Sequence, residues 1–281
     1  MAFKDILVHL DAAPACAARL AYAADMARAC GARLTGLYLV DPPMPVFAGT
    51  GGAGGMALAG LMEQLREEAL AEAGPVEKAF KAALDSHGLE GEWRLMEGPT
   101  ARVLAEHGRY ADLIILGQTD PDAPRPGGDA VIEAGLLETG RPVLVLPYAG
   151  SPSFATGQAL IGWNASAQAS RAVHDALPLL ARMKKVTVLV VKPEIGADAH
   201  GEEPGADIAR HLARHGLPVV VQRVEGADVS AGDVLLNEAA ETGADLIVMG
   251  GYGHSRIREF ILGGATRTIL KQMTAPVLMA N

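Results

Sequence analysis

Cysteine is nearly missing. The chain holds two, Cys16 and Cys30, too few for a disulfide framework. Both fall in one helical pattern, and at 1.5 Å per residue they stand about 21 Å apart, beyond bridging range. They read as small buried apolar side chains in a reducing compartment. Aromatic residues are scarce at 4%, so the core has to be built from Ala, Val, Leu and Ile. No run approaches the roughly 18 consecutive apolar residues of a membrane span. The opening residues, Met1 to Leu7, lack the apolar stretch of a signal peptide. These absences predict a cytoplasmic protein with no membrane partner. Positive charge is also in deficit, with 24 Lys and Arg against 33 Asp and Glu, a net charge of −9. A phosphate-backbone binder needs a basic face, so no nucleic-acid partner is expected. Residues 1–150 carry 12 basic and 20 acidic side chains, residues 151–281 carry 12 and 13. Repulsion of an anionic ligand is therefore concentrated in the first half.

What is present is a duplication. The 281 residues, 49% hydrophobic and 20% charged, suit two ordinary domains rather than a disordered chain. Ala111-Asp-Leu-Ile-Ile-Leu-Gly117 returns as Ala244-Asp-Leu-Ile-Val-Met-Gly250, and Thr139-Gly-Arg-Pro-Val-Leu-Val-Leu146 as Thr274-Ala-Pro-Val-Leu-Met279. Ile6-Leu-Val-His-Leu-Asp11 likewise matches Ala159-Leu-Ile-Gly-Trp-Asn164. The Gly, Pro and Ser content of 148–154 marks a linker, which gives domains 1–148 and 155–281. Strands are predicted at 4–10, 33–40, 91–96, 112–116 and 142–147, then at 159–163, 186–191, 217–224, 245–249 and 276–280. Helices are predicted at 14–31, 57–87, 100–109 and 128–139, then at 167–182, 205–215, 231–242 and 264–273. The strand runs are continuously apolar, as in a parallel sheet covered on both faces. Alternation of strand and helix makes a doubly wound α/β fold. Its ligands sit at the carboxyl ends of the strands. The glycine-rich stretch 47–56 has no Lys-Ser/Thr pair to make a phosphate loop of it and reads as a flexible connection into a long helix.

After the fourth strand of the second half comes Met249-Gly-Gly-Tyr-Gly253-His-Ser-Arg-Ile-Arg-Glu-Phe-Ile-Leu-Gly263-Gly-Ala-Thr-Arg267. Gly250 lets the chain leave the strand tightly and a ligand approach the backbone. Gly263 and Gly264 stand at the start of the last helix, where free amides and the dipole favour an anion. Arg256, Arg258 and Arg267 are near, though such neighbours more often form a solvated face. A dinucleotide fingerprint would follow the first strand, where this chain has Asp11 or Asn164, and a P-loop is excluded by the missing Gly-Lys-Ser/Thr.

The spacing Gly250-x2-Gly253-x9-Gly263 resembles the nucleotide-binding signature of the universal stress protein family, and the likeness extends over both halves. The resemblance implies two tandem doubly wound parallel five-stranded sheets with helices on both faces, a Rossmann-like fold of the adenine-nucleotide alpha hydrolase-like kind. It implies pairing through the last strand of each half, here within one chain as an intrachain pseudo-dimer, with a homodimer as a further assembly. It also implies an adenine nucleotide, ATP or a relative, with Mg²⁺ accompanying a triphosphate. Gly162, Trp163 and Asn164 would meet the nucleoside, and the backbone of Val191 would read the adenine edge. Gly250 and Gly253 would line ribose and phosphates, and Gly263 and Gly264 would offer amides to the phosphates. Met249, Ala265 and Thr266 complete the expected contact set. Asn164 stands where the family has aspartate, and Gly264 where it has Ser or Thr. Thr266 would cap the helix or compensate for the lost hydroxyl, or simply face solvent. The first half keeps Asp11 but has Asp120 at the second glycine, further acids at Asp122 and Asp129, and three prolines in a shortened loop. That half reads as a degenerate partner.

Other candidates are weaker. His211 and His215 lie at i and i+4 on a helix with His200 and Glu203 close in sequence, but no motif fixes a third metal ligand and a solvated face is the plainer reading. His9 reads as a satisfied core histidine, His254 as either a phosphate neighbour or a loop residue. Trp163 could wall an adenine pocket or pack under a helix. No catalytic residue and no resident metal site can be assigned. Three functions stay open: a nucleotide-binding stress switch, a slow ATPase, and a nucleotide-free interaction scaffold.

Overall fold

The computed structural model describes residues 2–41, 53–123, 128–150, 152–192, 203–225, 229–251 and 264–281, with the side chains of 53–58 and 129 outside that description. The first half runs β1 (Asp5–Leu10), α1 (Cys16–Cys30), β2 (Arg33–Val40), α2 (Ala53–His87), β3 (Gly91–Glu97), α3 (Thr100–Gly108), β4 (Leu113–Gly117), α4 (Gly128–Glu138) and β5 (Val143–Leu146). The second half repeats the order without a break: β6 (Gln158–Gly162), α5 (Ala167–Leu180), β7 (Lys185–Val191), α6 (Ala206–Arg214), β8 (Val219–Val224), α7 (Ala231–Thr242), β9 (Leu246–Gly250), α8 (Gly264–Gln272) and β10 (Val277–Ala280). Most boundaries fall within two residues of expectation. The exception is α2, which starts at Ala53 rather than 57 and takes Gly54 and Gly55 into the helix.

All ten strands form one sheet in the order β3-β2-β1-β4-β5-β10-β9-β6-β7-β8. Every neighbouring pair is parallel except β5 and β10, which meet antiparallel at the centre with Leu278 opposite Leu144. The two five-stranded sheets are thus continuous through their last strands. Alternate side chains feed two cores. Ile6, Val8, Leu113 and Ile115 point to the face covered by α1, α2, α5 and α6. Leu7, Ile114, Leu116 and Ile247 point to the face covered by α3, α4, α7 and α8. Both faces are buried, which is why the strands read as unbroken aliphatic runs. Cys16 and Cys30 are free and buried in α1. Among the described residues no helix is long and apolar enough to cross a membrane.

The repeated aspartates have a structural task. Asp112 accepts from the Lys4 and Asp5 amides at 2.7 and 3.1 Å, and Asp245 from the Gly157 and Gln158 amides at 2.9 and 2.8 Å. Each fixes the start of its half's first strand against its fourth, which aligns the carboxyl ends where a site can form.

Candidate functional site

At the carboxyl ends of β6, β7 and β9 lies a cavity of about 230 Å³. Its described walls are Gly162, Trp163, Asn164, Leu189, Val191, Ala231, Leu235, Met249, Gly250, Gly264, Ala265 and Thr266. Nine residues singled out from the sequence therefore surround one space. Gly253 and Gly263 lie outside the described residues, as do His254, Arg256 and Arg258. Leu189, Ala231 and Leu235 were not anticipated; they are ordinary apolar residues whose role depends only on where the strands stop.

One wall is a strand edge. The β6–β7 ladder ends at Gly162 opposite Leu189, and the Trp163 amide donates to the Leu189 carbonyl at 2.9 Å. Backbone groups of alternate residues point to the same side of a strand. The amide and carbonyl of Val191 therefore point to the side where β6 has ended, towards the cavity that Val191 lines. Lys192 points the other way and donates its amide to Val224.

The turn after β6 is held by its own side chains. Asn164 Oδ1 accepts from the Ser166 amide at 3.2 Å and from Ser166 Oγ at 2.7 Å. Ser166 Oγ then caps α5 by accepting from the Ala169 amide. Both lone pairs of Asn164 Oδ1 are engaged, so Asn164 faces a ligand as a donor through Nδ2. Ala165 between them has φ +55°, and Lys192 at the end of β7 has φ +49°. Among the described residues these are the non-glycine positions with left-handed backbone. Both lie at strand ends beside the cavity, where stored strain commonly marks a functional site.

The opposite wall is the amino end of α8. Among the described residues a Cβ on Gly264 would meet nothing within 4 Å, and Gly264, Ala265 and Thr266 line the cavity. The free amides and positive dipole end of α8 suit an anion. Thr266 is only 3% exposed, which corrects the reading of it as solvent-facing. Gly250 also has a further reason. Its absent Cβ would stand 2.6 Å from the Ala169 amide nitrogen, so glycine here lets α5 pack on the end of β9. Trp163 lines the cavity and also packs against the core on the face covered by α1, α2, α5 and α6.

The first half has closed the equivalent space to about 100 Å³. Asp11 makes the same turn, accepting from the Ala13 amide at 2.9 Å. Its second oxygen pairs with Arg19 Nη2 at 2.9 Å. Arg19, only 4% exposed, lays its guanidinium against Gly117, where a Cβ would collide with Nη1. Gly128, the counterpart of Gly264, is covered: a Cβ there would meet Thr119 Oγ1 at 2.9 Å. The acids and prolines after β4 mark this half as divergent in the sequence, but the side chain that closes the space, Arg19, reaches in from α1 and leaves no signal near β4. Asp120 does line the small space, with Oδ1 turned to the Asp122 amide. The Asp129 side chain lies outside the described residues. Burial and the Arg19 charge push the His9 pKa down to about 4. Burial alone would raise the Asp11 carboxyl, but Arg19, His9 and the Ala13 amide outweigh it and hold it below the usual carboxylate range. His9, read as a core histidine, is half-buried and lines the same small space.

A doubly wound α/β sheet with a cavity over its strand ends, bounded by a glycine-led helix, defines a ligand-binding class rather than a fixed chemistry. Comparison with known proteins is more specific. The family model for the universal stress protein family matches residues 2–131 and 157–281, and the chain belongs to that family. A search of curated proteins finds no match. A universal stress protein from Archaeoglobus fulgidus is similar over 99% of this chain and 98% of its own, at 17% identity and TM-score 0.69. A putative universal stress protein from Pseudomonas aeruginosa UCBPP-PA14 is similar over 98% and 92%, at 15% identity and TM-score 0.54. At these identities the structural likeness speaks for the fold alone.

Proposed function

We propose that the second half binds an adenine nucleotide of the ATP class, and that its occupancy acts as a switch in a stress response. The observation that supports this reading is that the amino end of α8, at Gly264, and the end of β7, at Val191, line one cavity, with no described residue within 4 Å of a Cβ on Gly264. The adenine edge would exchange hydrogen bonds with Val191, the ribose would accept from Asn164 Nδ2, and phosphate would lie at the Gly264 and Ala265 amides. A hydrated Mg²⁺ would neutralise a triphosphate through its phosphate oxygens. No described wall residue carries an acidic or basic side chain. The described walls therefore supply binding and orientation, and any ATP hydrolysis would be slow.

In this reading, domains 1–148 and 155–281 form an intrachain pseudo-dimer in the cytoplasm. The first domain buttresses the second and leaves nucleotide to it.

Calorimetric titration of the purified chain with ATP and Mg²⁺ tests the proposal, with Gly264→Asp as the variant. An acid in the first turn favours the helix dipole, so folding is kept. The same carboxylate repels phosphate at close range and should weaken ATP by at least about tenfold. Undiminished binding in Gly264→Asp would remove the site from α8. No heat from the wild-type chain at millimolar nucleotide would leave the scaffold reading in its place.

A further inference from the structure

The sequence offered two histidines one helical turn apart and no third ligand. The fold supplies the third. His174 on α5 faces His211 and His215 at the end of α6, with ring centroids 5.8 Å from His211 and 6.5 Å from His215, and 4.8 Å between the last two. We propose that His174, His211 and His215 bind a divalent transition ion of the Zn²⁺ class.

Geometry carries the case. Imidazole binds zinc at about 2.0–2.1 Å, and tetrahedral angles then place neighbouring ring centres about 5 Å apart. The His211–His215 pair already meets this, because i and i+4 side chains share a helix face. His174 must close by about 1 Å, within reach of a χ adjustment in an exposed side chain. As they stand, no group of three His, Cys, Asp or Glu side chains among the described residues is placed to hold a metal ion. The ion would draw the rings together rather than enter a finished cage. No hydrogen bond to these three rings is found among the described residues.

The competing groups are accounted for. Glu203, close in sequence, is paired with Arg223 at 2.7 Å, and His200 lies outside the described residues. Arg171 donates to the Gly140 carbonyl and lies 3.6 Å from Asp175. Arg182 and Arg214 repel a cation and temper the affinity. His174 and His215 also line a cavity of about 780 Å³ between the two halves, together with Asp175. A fourth position on the ion would open there to water or an anion. That cavity includes Phe3, Asp112 and Pro142, which precede their strands. It therefore lies at the opposite end of the sheet from the proposed nucleotide site, and the two proposals stand or fall separately.

The test uses tag-free, chelator-stripped full-length chain without nucleotide, titrated with Zn²⁺ by calorimetry. One ion per chain is expected, with His174→Ala and His211→Ala each weakening it by at least about tenfold. Circular dichroism verifies that the variants fold. As a readout on the wild-type chain, the ring nitrogens of three histidines should shift together in an NMR titration with Zn²⁺. No zinc uptake, full affinity in His174→Ala, or shifts at other histidines would overturn the proposal.

Discussion

His9, Asp11 and Arg19 show how one side chain closes the space over the strand ends. The Arg19 guanidinium occupies it, pairs with Asp11 at 2.9 Å, and adds to the burial that keeps the His9 ring neutral. The cost appears in acid. In the unfolded chain His9 titrates near the ordinary histidine value of 6.5, in the folded protein at about 4. Between those values the unfolded state binds the extra proton, so stability is full above pH 6.5 and falls as pH drops towards 4. At about 1.4 kcal/mol per pKa unit the loss amounts to at most about 3 kcal/mol. Asp11, with its pKa below the usual range, loses its contribution only at still lower pH. Urea denaturation of wild type and His9→Gln at pH 7 and pH 4.5 checks this: the wild type should lose stability between the two, and the variant should lose clearly less.

Elements decide what a glycine is for. Gly250 and Gly264 belong to the same sequence constellation and look alike there. In the fold, Gly250 lies against the backbone of α5, which cannot yield, whereas a Cβ on Gly264 would meet no described residue within 4 Å. Gly250→Ala should cost about 2–4 kcal/mol by forcing α5 off β9. Gly264→Ala should be neutral or stabilise by up to about 1 kcal/mol, since alanine suits a helix better. Thermal denaturation of the pair measures the difference; equal destabilisation would contradict the packing assigned to Gly250. A third glycine, Gly232 on α7, admits the start of α8, because a Cβ there would lie 3.1 Å from the Ala265 carbonyl. The placement of α8, and so of its amides, is set by this close α7–α8 contact.

On the scale of the whole molecule the halves are tied by more than the β5–β10 ladder. Gln118, 6% exposed after β4, donates from Nε2 to the Leu270 carbonyl of α8 at 2.9 Å and accepts from the Tyr148 amide at 3.1 Å. The first half thus holds the far end of the helix whose near end faces the candidate site. Tyr22 of α1 meets Phe154 edge to face at 5.7 Å. A continuous sheet with such ties should unfold in one transition. Gln118→Leu leaves a buried carbonyl and amide without partners and should lower stability by about 1–3 kcal/mol while the transition remains single. Two resolved transitions by calorimetry would show that the halves fold independently.

Periodicity and the internal repeat determined the element order, the parallel sheet and the duplication, because burial on both faces writes continuous aliphatic runs directly into a strand. The glycine spacing located one wall of the candidate site, since the amino end of a helix is a local property. Three matters were left to the tertiary structure. Arg19 closing the first cavity, His174 joining His211 and His215, and Gln118 reaching α8 each depend on side chains from elements far apart in the chain. Contacts of that kind leave no local pattern; they exist only once the sheet has set the helices side by side.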